Sequence, residues 1–250
     1  MAVPGTWNLE PFLPDLGLLL LPFLYGRSGG ENHALVDGRV GEIIQQKLES
    51  LYDVRIPGLW MDLGHAHVFT LTKSIVRMED FKNLRIRVAG GKANELRLIA
   101  LGSYAITIPW PELIERIRTR MVEGLLTTYE TVRSAELWTH GVRYVFEDNQ
   151  YFPMYIPLVS RVFWDTLTLE ERSMFRLVWN EQARIEREEA LEAQAASKKL
   201  FIQNGGSVTV PSKSELHRIR QSLMSAQSSI IQQLRIDPEL VGYAEQEIGP

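Results

Sequence analysis

Cysteine is absent from all 250 residues, which removes disulfide frameworks, thiolate nucleophiles and Cys-ligated zinc or iron–sulfur centres. Basic blocks are absent too, and 31 acidic residues against 27 basic ones leave a net charge of -4. A chain with no basic face cannot displace counterions from a polyanion, so nucleic acid is excluded as a general partner. Neither a Walker pattern nor a Gly-x-Ser-x-Gly elbow occurs. Phosphate cradling and serine-type acyl transfer therefore lack their usual backbone. The glycine-rich stretch Gly26-Arg27-Ser28-Gly29-Gly30 has no lysine and no expected helix behind it. Long apolar runs are missing as well: Leu16 to Leu24 falls far short of the ~20 residues that span a bilayer, and Pro14 and Pro22 punctuate it. It is not read as a secretory leader, because Glu10 and Asp15 precede it and the first basic residue, Arg27, follows it. The run is expected to be interior structure, with a buried strand as one form it can take.

What is present fits a globular chain of one large domain or two modest lobes, with 45% hydrophobic and 23% charged residues. Val40, Ile43, Ile44, Leu48 and Leu51 fall at three- and four-residue steps, predicting a helix over 37–52. Strands are predicted around 54–56, 68–71, 125–127, 142–146, 155–160 and 207–210. Helices are predicted over 111–120, 129–138 and 214–234, followed by a polar tail. Helices alternating with strands favour a parallel α/β sheet. Thr168-Leu169-Glu170-Glu171 is a capping box, and no glycine or proline follows until after Asn204. That stretch predicts one very long helix bridging two lobes, with two helices or a coiled-coil seam as the alternatives.

The segment Asp80 to Val88 carries the most specific chemistry. Leu84, Ile86 and Val88 alternate with Arg85 and Arg87, so a strand would place the guanidiniums together on the face opposite the apolar side chains. Gly90 and Gly91 follow, and ligands in open α/β sheets sit beyond the carboxyl ends of strands. The spacing alone leaves two readings open, an anion site or a solvated face. Trp110, between Pro109 and Pro111, either staples a helix or walls a pocket. His65 and His67 share a strand face, yet a metal needs a third ligand and none has credible spacing. An enzyme built on this pair is the weakest reading, and hydrogen-bonded structural histidines are the plainer one.

Three stretches together resemble the substrate-binding subunits of tripartite ATP-independent periplasmic (TRAP) transporters, of the dicarboxylate-binding type. They are Leu20-Leu21-Pro22-Phe23-Leu24 with Asp37-Gly38-Arg39-Val40-Gly41; Met78 to Val88, with Asn83 where the family has glycine; and Gly102 through Glu112 to Val122-Glu123-Gly124. The resemblance implies that Arg87 is the arginine that forms a two-pronged salt bridge with a ligand carboxylate. It places Trp110 on the family's pocket phenylalanine and His67 on a second ligand-facing arginine. Thr127 falls on an asparagine of the site. A histidine at 67 would strengthen anion binding in mildly acidic medium if it could take up a proton. One hydroxyl at 127 cannot reproduce an amide, so the ligand is expected to differ from sialic acid or small dicarboxylates and to be larger or more apolar.

The implied fold is a periplasmic-binding-protein-like α/β pair of lobes with hinge strands and a long bridging helix, lacking the family's first strand, helix and strand. Lobe I would combine 1–64 with 153–195, and lobe II, carrying Arg87, 65–152 with 196–250. The implied function is extracytoplasmic capture of an organic acid for TRAP membrane permease subunits, in the periplasm. It involves no catalysis and no cofactor, and the protein would be a monomer or a dimer through the long helix. A sensor or scaffold of the same fold, signalling to a different partner, is the second reading.

Overall fold

The computed structural model describes residues 1–249. Its helices are α1 (Thr6–Leu9), α2 (Gly29–Asp37), α3 (Arg39–Leu51), α4 (Lys92–Ala100), α5 (Leu113–Arg118), α6 (Tyr129–Ser134), α7 (Arg161–Thr166), α8 (Leu169–Gln203), α9 (Lys213–Leu234) and α10 (Pro238–Ile248). Its strands are β1 (Val54–Arg55), β2 (Met61–Asp62), β3 (Ala66–Thr70), β4 (Arg85–Val88), β5 (Tyr104–Thr107), β6 (Gly124–Thr127), β7 (Tyr144–Tyr151), β8 (Met154–Tyr155), β9 (Val159–Ser160) and β10 (Ser207–Thr209).

Six strands form the central sheet in the order β10-β7-β3-β6-β4-β5. It is mixed rather than parallel as predicted. The β4 strand runs parallel to β5 and β6, and β10 parallel to β7, while β3 is antiparallel to both β6 and β7. The reason is the path of the chain: β3 leads out of the connecting segment at 61–66 and β7 leads back towards 152–154, so the two run in opposite senses through one neck. Period-two alternation then sorts the side chains. Val68, Ile86 and Val88 pack beneath Leu98 of α4 and Ile219 and Leu223 of α9. Phe69, Leu125 and Val145 pack on the other face with Tyr129, Val132 and Phe201.

A second core gathers the rest of the chain. The run at 14–24 is not a strand: Pro14–Leu20 and Pro22–Leu24 are 3-10 turns whose leucines are almost all buried. Proline at the first position of each turn fixes a helical φ and removes a donor that a sheet would have needed. These leucines meet Leu35, Val40, Ile44 and Leu48 of α2 and α3. Ile230, Ile236, Leu240, Val241 and Ala244 join the same core, so the predicted polar tail is in fact α10. Asp237 caps it and Pro238 opens it. Helix α2 also begins inside the glycine-rich stretch, where Ser28 and Glu31 form a reciprocal capping box, so the absence of a helix expected there is corrected.

Two short antiparallel ladders link this core to the sheet, β2 with β8 (Met61↔Tyr155) and β1 with β9 (Val54↔Ser160). The single helix α8 runs alongside them for 35 residues, with Thr168 and Glu171 forming its capping box. At 1.5 Å per residue it extends about 50 Å. Asn83 adopts φ 63° in the turn before β4. Asparagine is among the few residues other than glycine that tolerate this region, which accounts for its standing in for glycine there.

Candidate functional site

Arg87 lies near the C-terminal end of β4, between β5 and β6, and its side chain is 3% exposed. Nε donates to the Ile108 carbonyl at 3.0 Å. Among the described residues the guanidinium has no carboxylate within ion-pair range. Burial lowers its pKa to about 10, so the charge persists at neutral pH. A buried cation without a counter-charge is costly, and such a group is stabilised when an anion arrives. Arg85, two residues earlier on the same face, is exposed and turned to the carbonyls of Arg120 and Met121. The alternation thus yields one buried guanidinium and one at the surface.

Arg87 faces a cleft of about 700 Å³ that also takes in Trp7, Asn8, Trp110, Thr127, Tyr151 and Tyr155. The Trp110 ring centroid lies 5.9 Å from the Arg87 guanidinium carbon, and this indole is 46% exposed. Trp7 meets Tyr155 edge-on at 5.4 Å. A Cβ on Gly90, the second residue after β4, would lie 3.2 Å from Trp7 Cδ1, so glycine there lets the indole approach the strand end. Gly91, at φ 83°, leads into α4, where Glu10 Oε1 accepts the Ala93 N–H at 3.2 Å. Burial pushes the Glu10 carboxyl up to about 7.

The structure brings Arg87, Trp110 and Thr127 into one cleft and places His67 elsewhere. His67 is the register partner of Thr127 across β3 and β6, but it lines a separate cavity of about 520 Å³ with His33, Asp62, His65, Tyr129, Glu147 and Lys198. Its Nδ1 accepts the Asn149 N–H at 3.2 Å. Burial, then the neighbouring His65 and Lys198, depress its pKa to about 3. The expected strengthening in mild acid therefore has no proton to work with. The His65 and His67 rings stack 6.4 Å apart, and His65 Nε2 pairs with the Arg27 carbonyl at 3.0 Å. Among the described residues no three His, Cys, Asp or Glu side chains are grouped to hold a metal.

Sequence reasoning missed Trp7, Tyr151 and Tyr155, whose convergence depends on the two connecting segments, and it missed the buried cation Arg97. Arg97 donates to Gln150 Oε1, the Leu20 carbonyl and Asn94 Oδ1 at 2.7–3.0 Å. With these partners it differs from Arg87: its hydrogen bonds are all met within the chain.

A family model described as bacterial extracellular solute-binding protein, family 7, matches residues 1–233. The chain belongs to that family. Among similar proteins, the 2,3-diketo-L-gulonate-binding periplasmic protein YiaO of Escherichia coli is 24% identical over 170 residues, 68% of this chain and 51% of its own length. The C4-dicarboxylate-binding periplasmic protein DctP of Rhodobacter capsulatus is 22% identical over 204 residues, 77% of this chain and 59% of its own length. The chain thus spans about half to three fifths of the curated relatives it matches. A TRAP periplasmic solute binding protein from Ralstonia eutropha, crystallised with (S)-2-acetolactate, superposes with TM-score 0.90 at 25% identity, covering 99% of this chain and 79% of that one. The α/β binding-protein fold implied by the sequence motifs is the fold of these structures. No helix among the described residues is long and apolar enough to cross a membrane.

Proposed function

We propose that this family-7 protein captures a carboxylate-containing organic acid in the cleft beside Arg87 and delivers it outside the cytoplasm to TRAP membrane permease subunits. The observation that carries the proposal is the buried Arg87 guanidinium, held by one backbone bond and facing the cleft with no counter-ion among the described residues. A planar fork meets both oxygens of a carboxylate at once. The ligands of two similar proteins, 2,3-diketo-L-gulonate and (S)-2-acetolactate, are both carboxylates and support the same reading. Among the described residues Arg87 is the one basic side chain lining the cleft, which favours a single carboxylate over the dicarboxylate-binding type.

The proposed lobes are 1–64 with 153–195 and 65–152 with 196–250, with α10 and the end of α9 packed on the first lobe. The β2–β8 and β1–β9 ladders would be the hinge, and ligand bridging the lobes would favour the closed form that a permease recognises. His67 would act from behind the cleft, by fixing the strand end that carries Thr127 across the ladder. Calorimetry with a panel of organic acids tests the proposal: binding is expected in the wild type and lost in Arg87→Ala. Equal affinity in the two proteins would refute the role of Arg87.

A further inference from the structure

The cleft contains more hydroxyl groups than it has hydroxyl protons free to donate to a ligand. Thr107 donates to Glu95. The Thr128 and Thr131 hydroxyls bond to each other at 3.0 Å, and Thr128 Oγ1 also caps the Thr131 N–H at 3.2 Å. Ser134 donates to the Thr131 carbonyl at 3.3 Å, and Glu130 pairs with Arg133 at 2.5 Å. Each of these groups lines the cleft; the hydroxyl protons of Thr107 and Ser134, and one of the Thr128–Thr131 pair, are already committed within the chain, and their oxygens and the Glu130 carboxylate remain only as acceptors. The donors left for a ligand are the Arg87 fork, the buried Thr127 hydroxyl, the Asn8 amide and the phenols of Tyr151 and Tyr155.

Against this short polar set stand four aromatic side chains, Trp7, Trp110, Tyr151 and Tyr155. Two of them are the large indoles, one set beside the guanidinium and one placed over the strand end by Gly90. A polyhydroxylated acid brings many hydroxyls into the cleft, and each needs a partner once it leaves water. A flat unsaturated body needs few, and it gains from contact with aromatic faces. A second carboxylate would find no second cation.

Resting on the reading of Arg87 as a carboxylate clamp, we infer that the ligand is a monocarboxylate with an aromatic or otherwise flat, unsaturated body. The carboxylate meets Arg87, Thr127 adds one hydrogen bond, and the body lies against the indoles of Trp7 and Trp110.

Titration calorimetry with benzoate, phenylpyruvate, D-gluconate and succinate, on wild type, Arg87→Ala and Trp110→Ala, tests this. Trp110 is 46% exposed, so its variant is expected to fold, and a thermal melt checks that it does. One or both aromatic acids should bind at least about tenfold more tightly than gluconate or succinate, lose binding in Arg87→Ala, and weaken roughly three- to tenfold in Trp110→Ala. Gluconate or succinate binding more tightly than both aromatic acids, and still depending on Arg87, overturns the inference while leaving the carboxylate clamp standing. Binding that is indifferent to Arg87→Ala, or no binding of any of the four, overturns both.

Discussion

Arg87 Nε donates to the Ile108 carbonyl at 3.0 Å, so one edge of a buried guanidinium is fixed by backbone while its other nitrogens face the cleft. Two charge-assisted bonds to a carboxylate are each worth about 1.5–3 kcal/mol. Arg87→Ala should therefore weaken organic-acid binding by roughly 100-fold or more. Arg87→Lys should recover part of it, because a point charge replaces the fork. In the ligand-free protein, Arg87→Met is expected to be neutral or to stabilise by about 1 kcal/mol, since it removes an uncompensated buried charge. Urea denaturation measures this, and a loss of several kcal/mol would mean that the guanidinium has a hidden structural partner.

Arg97 should behave in the opposite way. It is fully buried with three hydrogen bonds to Gln150, Leu20 and Asn94. Arg97→Met strands those acceptors and should cost roughly 3–5 kcal/mol in the same denaturation experiment. The contrast between two buried arginines, one costly to remove and one not, distinguishes scaffold from site.

Asp148 carries a pH dependence that can be isolated. It accepts from the Tyr25 hydroxyl at 2.9 Å and the Gln150 amide at 2.8 Å, its other oxygen has no partner, and burial raises its pKa from 3.8 to about 7. Over that interval the folded chain keeps a proton that the unfolded chain has released, so stability falls as pH rises. Asp148→Asn should gain on the wild type by about 2 kcal/mol between pH 5 and pH 8. Parallel melts at the two pH values check this, and a gap that does not change with pH would contradict it.

His67 runs the other way. Its pKa is depressed from 6.5 to about 3, so below 6.5 the unfolded chain binds the proton and the folded chain does not, and stability falls with acidification. Nitrogen NMR of the imidazole should report the neutral ring at pH 5, with Nδ1 as the acceptor from Asn149. A titration centred near pH 6 would show that the ring is open to water.

Local signals made much of this legible in advance. Helix α8 could be read from the Thr168 capping box and the absence of breakers, and β4 from the alternation that ends in Arg87. Leu16 to Leu24 misled because a continuous apolar run has no period, so buried turns and buried strands look alike. The signal for α10 was present in Asp237-Pro238, an N-cap followed by a proline at the first turn, but its polar surface obscured it. The cleft was half legible. Arg87, Trp110 and Thr127 come from one stretch of matched motifs, whereas Trp7, Tyr151 and Tyr155 meet them only after the chain has passed twice through the neck. His67 shares a ladder rung with Thr127, and spacing gives no hint that the two serve different cavities.

Helix α8 holds that neck along its length. Asn180 accepts the Leu59 N–H, Trp179 donates to the Leu59 carbonyl, Arg187 to the Trp60 carbonyl, and Gln194 to the Leu63 carbonyl. The Gln194 amide oxygen at the same time accepts the Glu130 N–H at the start of α6, beside the cleft. With the Asp62 N–H donated to Glu186 as well, a rod fastened to four residues of the outgoing segment, Leu59, Trp60, Asp62 and Leu63, gives that segment little slack. Widening the cleft therefore means either bending the rod or releasing Gln194, and the rod behaves like a beam with one detachable pin.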